Sequence, residues 1–274
     1  CGATGRLSLS LERIWRSVHA GNPALVNRVH AFMSGGDLAH VHSIESFEDH
    51  PEWGAQQTRE NGFGPNDLML GITEGGETPS VIGATEEAAR LSARKAFFVY
   101  CNPTDILRDR IERSRDIIDN PRIEAQELFV GNMALSGSTR LQATTIQQLM
   151  AGAALMDIST DDIRRFQEFV DNTDYGFLAT FIEKEAEIYQ RGGFVNYETN
   201  HYGITVMTDS TERAPTFSLK GIENQGNPER TPALSYPIMP NTNTPLEAWH
   251  ELLGRYPVAI EWPVLNNVAG RERL

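Results

Sequence analysis

A segment at residues 71–79 carries residue types that can bind an anion through the main chain. It reads Gly-Ile-Thr-Glu-Gly-Gly-Glu-Thr-Pro, follows an apolar run at residues 68–72, and ends on a proline where a helical pattern begins. At such a junction between strand and helix, backbone N–H groups lack helical partners and can bind a phosphate. We call residues 73–79 the glycine turn and predict that it holds an anionic ligand.

A second turn of this kind is predicted at residues 2–6, Gly-Ala-Thr-Gly-Arg, directly before a helical pattern. Two such turns in one domain suggest a phosphorylated small molecule as ligand. The hydroxyl groups of Thr4 and Thr78 can serve that ligand or, alternatively, cap the helices that follow. The predicted binding residues of the two turns are Ala3, Thr4, Gly5, Thr73, Glu74, Gly75, Gly76 and Thr78.

The elements that must position these turns alternate between strands and helices. Continuous apolar runs predict buried parallel strands, and apolar residues at helical spacing predict amphipathic helices. The predicted strands cover residues 29–33, 67–73, 96–101 and 116–118, and the predicted helices cover residues 6–19, 37–48, 52–61, 79–93, 104–112 and 143–153. This alternation is typical of an α/β fold, with a parallel sheet in a three-layer α/β/α sandwich.

The pattern changes after residue 155, which predicts a domain boundary there. Residues 156–191 are predicted to be helical, residues 195–197 and 204–207 to be strands, and residues 246–253 to be a short helix. We therefore expect a first domain at residues 1–155. Residues 156–274 are expected to form a helical linker and a partial second α/β unit.

Composition and charge exclude several classes of protein. The formal net charge is −13, which argues against binding to nucleic acid or anionic membranes, since both need clustered Lys and Arg. No apolar run approaches the roughly 20 residues of a membrane-spanning helix. The two cysteines, Cys1 and Cys101, form no CxxC pair, and His40, His42 and His50 have no metal-ligand spacing. We expect a cytoplasmic protein without a bound metal.

Six sequence blocks occur in one order along residues 1–155. They are Gly-Ala-Thr-Gly-Arg-Leu at 2–7, Gly-Gly-Asp at 35–37, Glu-Ser-Phe-Glu-Asp at 45–49, the turn at 75–79, Cys-Asn-Pro at 101–103 and Ser-Gly-Ser-Thr-Arg at 136–140. This order resembles the sugar isomerase (SIS) domain family, in the branch of N-acetylmuramic acid 6-phosphate etherase and glucokinase regulatory protein. The resemblance implies a flavodoxin-like parallel sheet that binds a phosphosugar at the carboxyl ends of its strands. It also implies a first strand that these residues lack, which either the parent chain supplies upstream of Cys1 or another segment replaces.

The resemblance further implies two catalytic glutamates, Glu86 as base and Glu48 as acid. They would eliminate D-lactate from N-acetylmuramic acid 6-phosphate without a cofactor. From the residues alone, other roles stay open. Ile82 and Ala89 share a helical face with Glu86, which predicts an inward-facing carboxyl, whereas an ion pair with Arg90 is the alternative. Glu48 can equally lie on a solvated acidic surface.

Ser136 and Ser138 lie on a later turn and are expected to border the sugar. The leading hypothesis is a lyase, and the alternatives are a non-catalytic sugar-phosphate sensor and a phosphosugar isomerase. The family usually has serine where this chain has Gly75, and Glu74 and Glu77 add negative charge to the turn, which favours the sensor. The expected partners are a phosphorylated sugar or amino sugar and either a second copy of the chain or a second SIS domain.

Overall fold

The computed structural model describes residues 2–41, 44, 46–217 and 234–265. The chain divides into two compact units. The first comprises Cys1–Leu9, His30–Gln147 and Pro257–Leu274, and the second comprises Ser10–Val29 and Gln148–Tyr256. The sequence-based domain boundary at residue 155 stays a prediction.

The first unit contains a parallel sheet and the helices that flank it. Its strands are β1 (Leu70–Ile72), β2 (Ala96–Tyr100) and β3 (Ile123–Glu127), in the order β1-β2-β3. Its helical segments are α1 (Gly2–Val18), two 3-10 helices (Asp37–His40 and Phe47–Asp49), α2 (Pro51–Glu60), α3 (Pro79–Leu91), α4 (Thr104–Arg110), α5 (Glu112–Ile118) and α6 (Gln142–Met156). The residues of α1 after position 9 and of α6 after position 147 are assigned to the second unit. The predicted α/β fold with a parallel sheet between helices is confirmed.

The core of this unit is built around the central strand, β2. Leu70 of β1 pairs with Phe97 of β2, and Ala96 of β2 pairs with Ile123 of β3. Phe98 and Tyr100 are buried, with ring centres 5.5 Å apart. Because β2 has neighbours on both edges and helices over the sheet, its sequence is apolar almost throughout.

The predicted turn at residues 2–6 is wrong, because these residues form the beginning of α1. Ala3 and Leu7 lie four residues apart and are both buried, so the apolar stripe of the helix already includes them. The glycines at positions 2 and 5 obscured this pattern, since glycine normally favours turns over helices.

Two predicted strands of the first unit are also wrong. Residues 116–118 lie in α5, and the strand forms a few residues later as β3. Ile117 and Ile118 are buried in the helix, and a short apolar pair does not distinguish a helix from a strand. Residues 29–33 form no strand, and the helix predicted over residues 37–48 is reduced, in the described part, to the two 3-10 helices.

The second unit contains α7 (Thr160–Asn172), α8 (Leu178–Gln190), β4 (Val195–Glu198), α9 (Gly203–Phe217), β5 (Ser235–Ile238) and α10 (Pro245–Leu253). β4 and β5 form a parallel pair. The strand predicted at residues 204–207 is wrong, because these residues lie in α9, where Ile204 and Met207 are buried three positions apart. Across the described residues of both units, no helix combines the length and the apolar character needed to cross a membrane.

Candidate functional site

The glycine turn leaves the carboxyl end of β1 and leads into α3. The Thr73 amide donates a hydrogen bond to the Val99 carbonyl (3.0 Å), which extends the pairing of β1 with β2 by one residue. Gly76 then turns the chain with a φ of 76°. A Cβ atom at this position would lie 2.6 Å from Cδ1 of Leu107, so both the backbone and the packing require glycine.

Two hydroxyl groups join the ends of the glycine turn. The side-chain oxygens of Thr73 and Thr78 lie 2.8 Å apart, within hydrogen-bond distance. Thr78 directly precedes α3, and Pro79 occupies the first turn of that helix. The Thr78 side chain makes no capping hydrogen bond to α3, so the alternative role of Thr78 as a side-chain cap is wrong.

Side chains outside the glycine turn hold its carbonyl groups. Three donors bind three successive carbonyls: Asn102 Nδ2 to Gly75 (3.1 Å), Ser114 Oγ to Gly76 (2.8 Å) and Arg113 Nε to Glu77 (2.6 Å). These bonds come from the residues after β2 and from α5, on two separate segments. The main chain of the turn is therefore fixed in one orientation.

The main-chain amide N–H groups of residues 74–78 in the same turn have no acceptor within the described part of the protein. Gly76 is buried and its neighbours in the turn are half-buried. A run of five such N–H groups can donate hydrogen bonds to an anion, so the turn is a candidate anion site.

The charge around these amides comes from two glutamates. Glu74 is half-buried, and burial followed by repulsion from Glu77 raises the pKa of its carboxyl. The Glu77 carboxylate itself lies 3.7 Å from the Arg113 guanidinium, which offsets its charge. The charge presented to an anion at the turn therefore depends mainly on the protonation of Glu74.

Helix α6 and the turn before it border the site on another side. Gln147 is fully buried, and its Nε2 donates to the Thr73 carbonyl (2.8 Å). Of the two serines predicted to border the sugar, Ser138 is buried and its hydroxyl accepts a hydrogen bond from Arg140. Ser136 is exposed. Their contact with a ligand stays a prediction.

The remaining predicted binding residues lie at the start of α1, where they are buried or half-buried: Ala3, Thr4 and Gly5. A Cβ atom at Gly5 would lie 3.0 Å from Cβ of Met33. The next residue, Ser34, places its hydroxyl 2.7 Å from that of Ser80 in the first turn of α3. The segment at residues 33–34 therefore connects the beginning of α1 with the helix that follows the glycine turn.

The two predicted catalytic glutamates are both exposed. Glu48 lies in the 3-10 helix Phe47–Asp49, directly before α2. Glu86 lies on α3, where partial burial of its carboxyl and then the neighbouring Asp116 of α5 raise its pKa. A carboxyl with a raised pKa is suited to proton transfer, but the catalytic roles of both residues stay predictions.

The prediction that Glu86 faces inward is wrong, and so is its alternative ion pair with Arg90. Arg90 instead binds Glu87, with Nη2 2.7 Å from Oε1. Glu87 also accepts a hydrogen bond from Arg59 of α2 (2.9 Å), and the two arginines lower its pKa to about 2. The buried carboxylate of α3 is thus Glu87, because α2 supplies a second arginine there.

Four residues that hold carbonyl groups of the glycine turn were missed from the sequence: Asn102, Arg113, Ser114 and Gln147. Asn102 follows β2 as part of an Asn-Pro pair, which could have indicated a residue at the carboxyl edge of the sheet. The sequence does not indicate that Gln147 faces inward, because apolar residues occur on several sides of α6 and no single face of the helix stands out as the buried one. In the part of the chain that the structure describes, no group of three or more His, Cys, Asp or Glu is arranged to bind a metal ion.

Comparison with known proteins shows what the first part of the chain is similar to. Residues 1–89 match the sequence model of the glucokinase regulatory protein N-terminal SIS domain. These residues are therefore similar to a SIS domain. The matched range includes β1, the whole glycine turn and most of α3, so it contains the residues that form the candidate anion site. The resemblance stated from the sequence blocks is confirmed.

Proteins named N-acetylmuramic acid 6-phosphate etherase are also similar to this chain. The one from Synechococcus elongatus is 35% identical over 171 residues, which are 62% of this chain and 50% of the relative. The one from Mesorhizobium japonicum is 37% identical over 118 residues (43% and 34%), and that from Psychromonas ingrahamii is 30% identical over 152 residues (55% and 46%). The chain therefore spans half the length of these relatives or less.

Proposed function

We propose that the SIS domain binds a phosphorylated sugar and that the phosphate lies on the glycine turn. The observation that supports this most directly is the run of main-chain N–H groups at residues 74–78 without a protein acceptor among the described residues. A phosphate has several acceptor oxygens and is favoured at the start of a helix, which the turn supplies in α3. The name of the relatives, which refers to an amino sugar 6-phosphate, supports a sugar phosphate as the ligand.

Binding can be tested by thermal unfolding with matched ligands. N-acetylglucosamine 6-phosphate should raise the unfolding temperature of the chain, and the rise should grow with the logarithm of its concentration, whereas N-acetylglucosamine should have no such effect. The comparison isolates the phosphate, since the two ligands share the rest of the sugar. Equal effects of the two sugars, or no effect of either, would overturn the proposed site.

We further propose that the whole protein is a carbon–oxygen lyase that acts on N-acetylmuramic acid 6-phosphate. Glu86 would remove the proton from the carbon next to the aldehyde of the open-chain sugar. The bond between the adjacent carbon and the lactyl oxygen would break, and Glu48 would protonate the departing oxygen. Water then adds across the resulting double bond, which gives D-lactate and the amino sugar phosphate. The raised pKa of Glu86 supports its assignment as the base.

The lyase activity can be tested by measuring D-lactate released from N-acetylmuramic acid 6-phosphate. Glu86→Gln should lower the rate by about a hundredfold or more, which is typical for loss of a general base. Glu124→Gln is a suitable control, because Glu124 is an exposed residue of β3 that pairs with Lys95. If the unaltered protein binds the substrate and releases no lactate, the lyase assignment is wrong.

A second candidate function is a sugar-phosphate sensor without catalysis. The match of residues 1–89 to the SIS domain of glucokinase regulatory protein favours it. Glu74 within the glycine turn also favours it, because a carboxylate next to the phosphate would weaken binding and make it depend on pH. This function predicts stabilisation by a sugar phosphate with neither elimination nor isomerisation of the ligand.

A further inference from the structure

We propose that Thr144 and Gln147 of α6 form a subsite that recognises the sugar next to the phosphate. The pair would distinguish a sugar phosphate from inorganic phosphate, a task that the glycine turn alone does not perform. The inference rests on the proposed binding of a sugar phosphate at that turn. Its evidence is independent, since it comes from buried polar atoms on a different element.

Gln147 presents a buried acceptor beside the glycine turn. Its side chain is 0% exposed, and its Nε2 donates to the Thr73 carbonyl at 2.8 Å. Only the nitrogen of the amide can donate to a carbonyl, so this bond fixes which end of the amide is the oxygen. That oxygen, Oε1, has no hydrogen-bond partner among the described residues. Buried acceptors of this kind are rare because they lose their bonds to water and gain nothing in return.

Thr144 presents a second buried polar atom on the same side of α6. It is 8% exposed, and its Oγ1 has no hydrogen-bond partner in the described part of the chain. Other helical threonines here donate to the carbonyl four residues earlier, as Thr85 does to Val81 (2.8 Å). Thr144 and Gln147 are three residues apart, so their side chains lie on one face of the helix. Two buried polar atoms without a partner among the described residues thus belong to one face of α6, and one of the two residues contacts Thr73.

The chemistry of these two atoms defines the group that they can bind. An ionised phosphate oxygen only accepts hydrogen bonds and therefore cannot satisfy Oε1 of Gln147. A sugar hydroxyl can donate to Oε1 of Gln147 and accept from the hydroxyl of Thr144 at the same time, and an amide N–H can supply the donor alone. The turn amides would then hold the phosphate, and the two α6 residues would hold a hydroxyl or amide group of the sugar.

Thr144→Val tests this subsite with little change in shape. The substitution removes only a hydroxyl that has no protein partner, so the unfolding temperature without ligand should stay the same or rise. The affinity for N-acetylglucosamine 6-phosphate, measured by calorimetry, should fall about tenfold, the usual effect of losing one hydrogen bond. The affinity for inorganic phosphate should not change. Thr145→Val is the matched control, because Thr145 is exposed and its hydroxyl donates to the Leu141 carbonyl.

Gln147→Met provides a second test that keeps the length of the side chain. It also removes the bond to Thr73 and should lower stability, so the readout is the ratio of the two affinities rather than either one. A reduced preference for the sugar phosphate over phosphate in both variants supports the subsite. If both ligands weaken equally, or if Thr144→Val binds as well as the unaltered chain, the subsite is wrong while the proposed phosphate site stands. If the unaltered chain binds neither ligand, the phosphate site and the subsite are both wrong.

Discussion

The hydroxyl groups of Thr73 and Thr78 lie 2.8 Å apart, within hydrogen-bond distance. This contact joins the first residue of the glycine turn to the residue that directly precedes α3. Thr73 is 2% exposed, so its hydroxyl has little access to water and depends on this contact. The pair keeps the two ends of the turn together, while the carbonyl groups between them bind Asn102, Ser114 and Arg113. The orientation of the turn amides follows from these four interactions.

Removing one hydroxyl of this pair should cost more than removing both. Thr78→Val leaves the buried Thr73 hydroxyl without its partner, and we expect unfolding stability to fall by about 1–2 kcal/mol. The double variant Thr73→Val with Thr78→Val should be no less stable than either single variant, because no orphaned hydroxyl remains. Urea unfolding of all four proteins gives the coupling between the two positions. Additive effects would show that the hydroxyls do not interact.

Gly76→Ala should destabilise the protein strongly. The new Cβ would lie 2.6 Å from Leu107 Cδ1 and 3.2 Å from Tyr100 Cβ, at a φ of +76°. We expect a loss of about 2–4 kcal/mol from the combined clash and left-handed backbone. Gly62→Ala is the matched control, since Gly62 has a φ of +75° and no atom within 4 Å of its Cβ position. The control should lose only about 1 kcal/mol, and equal losses would show that packing against Leu107 is unimportant.

The sequence was sufficient where one local pattern decides the structure and insufficient where a distant residue does. The apolar run of β2 identified a buried strand, because a strand that is paired on both edges and covered by helices is apolar along most of its length. The sequence predicted that Glu86 of α3 faces inward, whereas the buried carboxylate of this helix is that of the next residue, Glu87. The difference depends on Arg59, a residue of α2 that no periodicity in α3 can reveal. Local pattern gives the helix, but the packing of α2 on α3 selects which polar residue faces inward.

The same reasoning explains the outcome for the two predicted turns. The glycine turn was identified correctly because β1 and Pro79 delimit it on both sides. The residues at 2–6 contain two glycines as well, yet they form helix, since the burial of Ala3 and Leu7 outweighs the low helix propensity of glycine. Gln147 shows a third limit: its inward position depends on the Thr73 carbonyl, which lies 74 positions away in the chain.

Glu74→Gln should stabilise the protein at neutral pH and have no such effect in acid. The pKa of Glu74 is raised by burial and by Glu77, so the folded state holds this proton more tightly than the unfolded state does. The contribution of Glu74 to stability is therefore most favourable below the ordinary carboxyl pKa of about 4, and it becomes less favourable as pH rises through the raised value. Glutamine stays neutral and removes this loss. Urea unfolding of both proteins at several pH values checks it, and a difference that grows toward acid would contradict the assignment.

Gly75→Ser should be tolerated by the fold. The nearest atom to a Cβ at Gly75 is Cγ of Glu77 at 3.4 Å, an ordinary contact, and its φ is not in the left-handed region. A serine here would add a hydroxyl donor next to the amides of the turn, so the affinity for a sugar phosphate should rise by several-fold, about 1 kcal/mol. Calorimetry with N-acetylglucosamine 6-phosphate measures it. An unchanged affinity with intact stability would indicate that the phosphate does not approach Gly75.

His40 should make the protein sensitive to mild acid. It is 0% exposed, and burial followed by the positive charge of Arg6 lowers its pKa from 6.5 to about 3. Between these values the unfolded chain takes up a proton that the folded chain refuses, so the stability present above pH 6.5 is lost as pH falls toward 3. The slope from this residue approaches about 1.4 kcal/mol per pH unit. His40→Gln cannot take up that proton, so its unfolding free energy should decline less steeply than that of the unaltered protein between pH 6 and pH 4, whatever its starting stability. Parallel curves for the two proteins would show that His40 is protonated in the folded state.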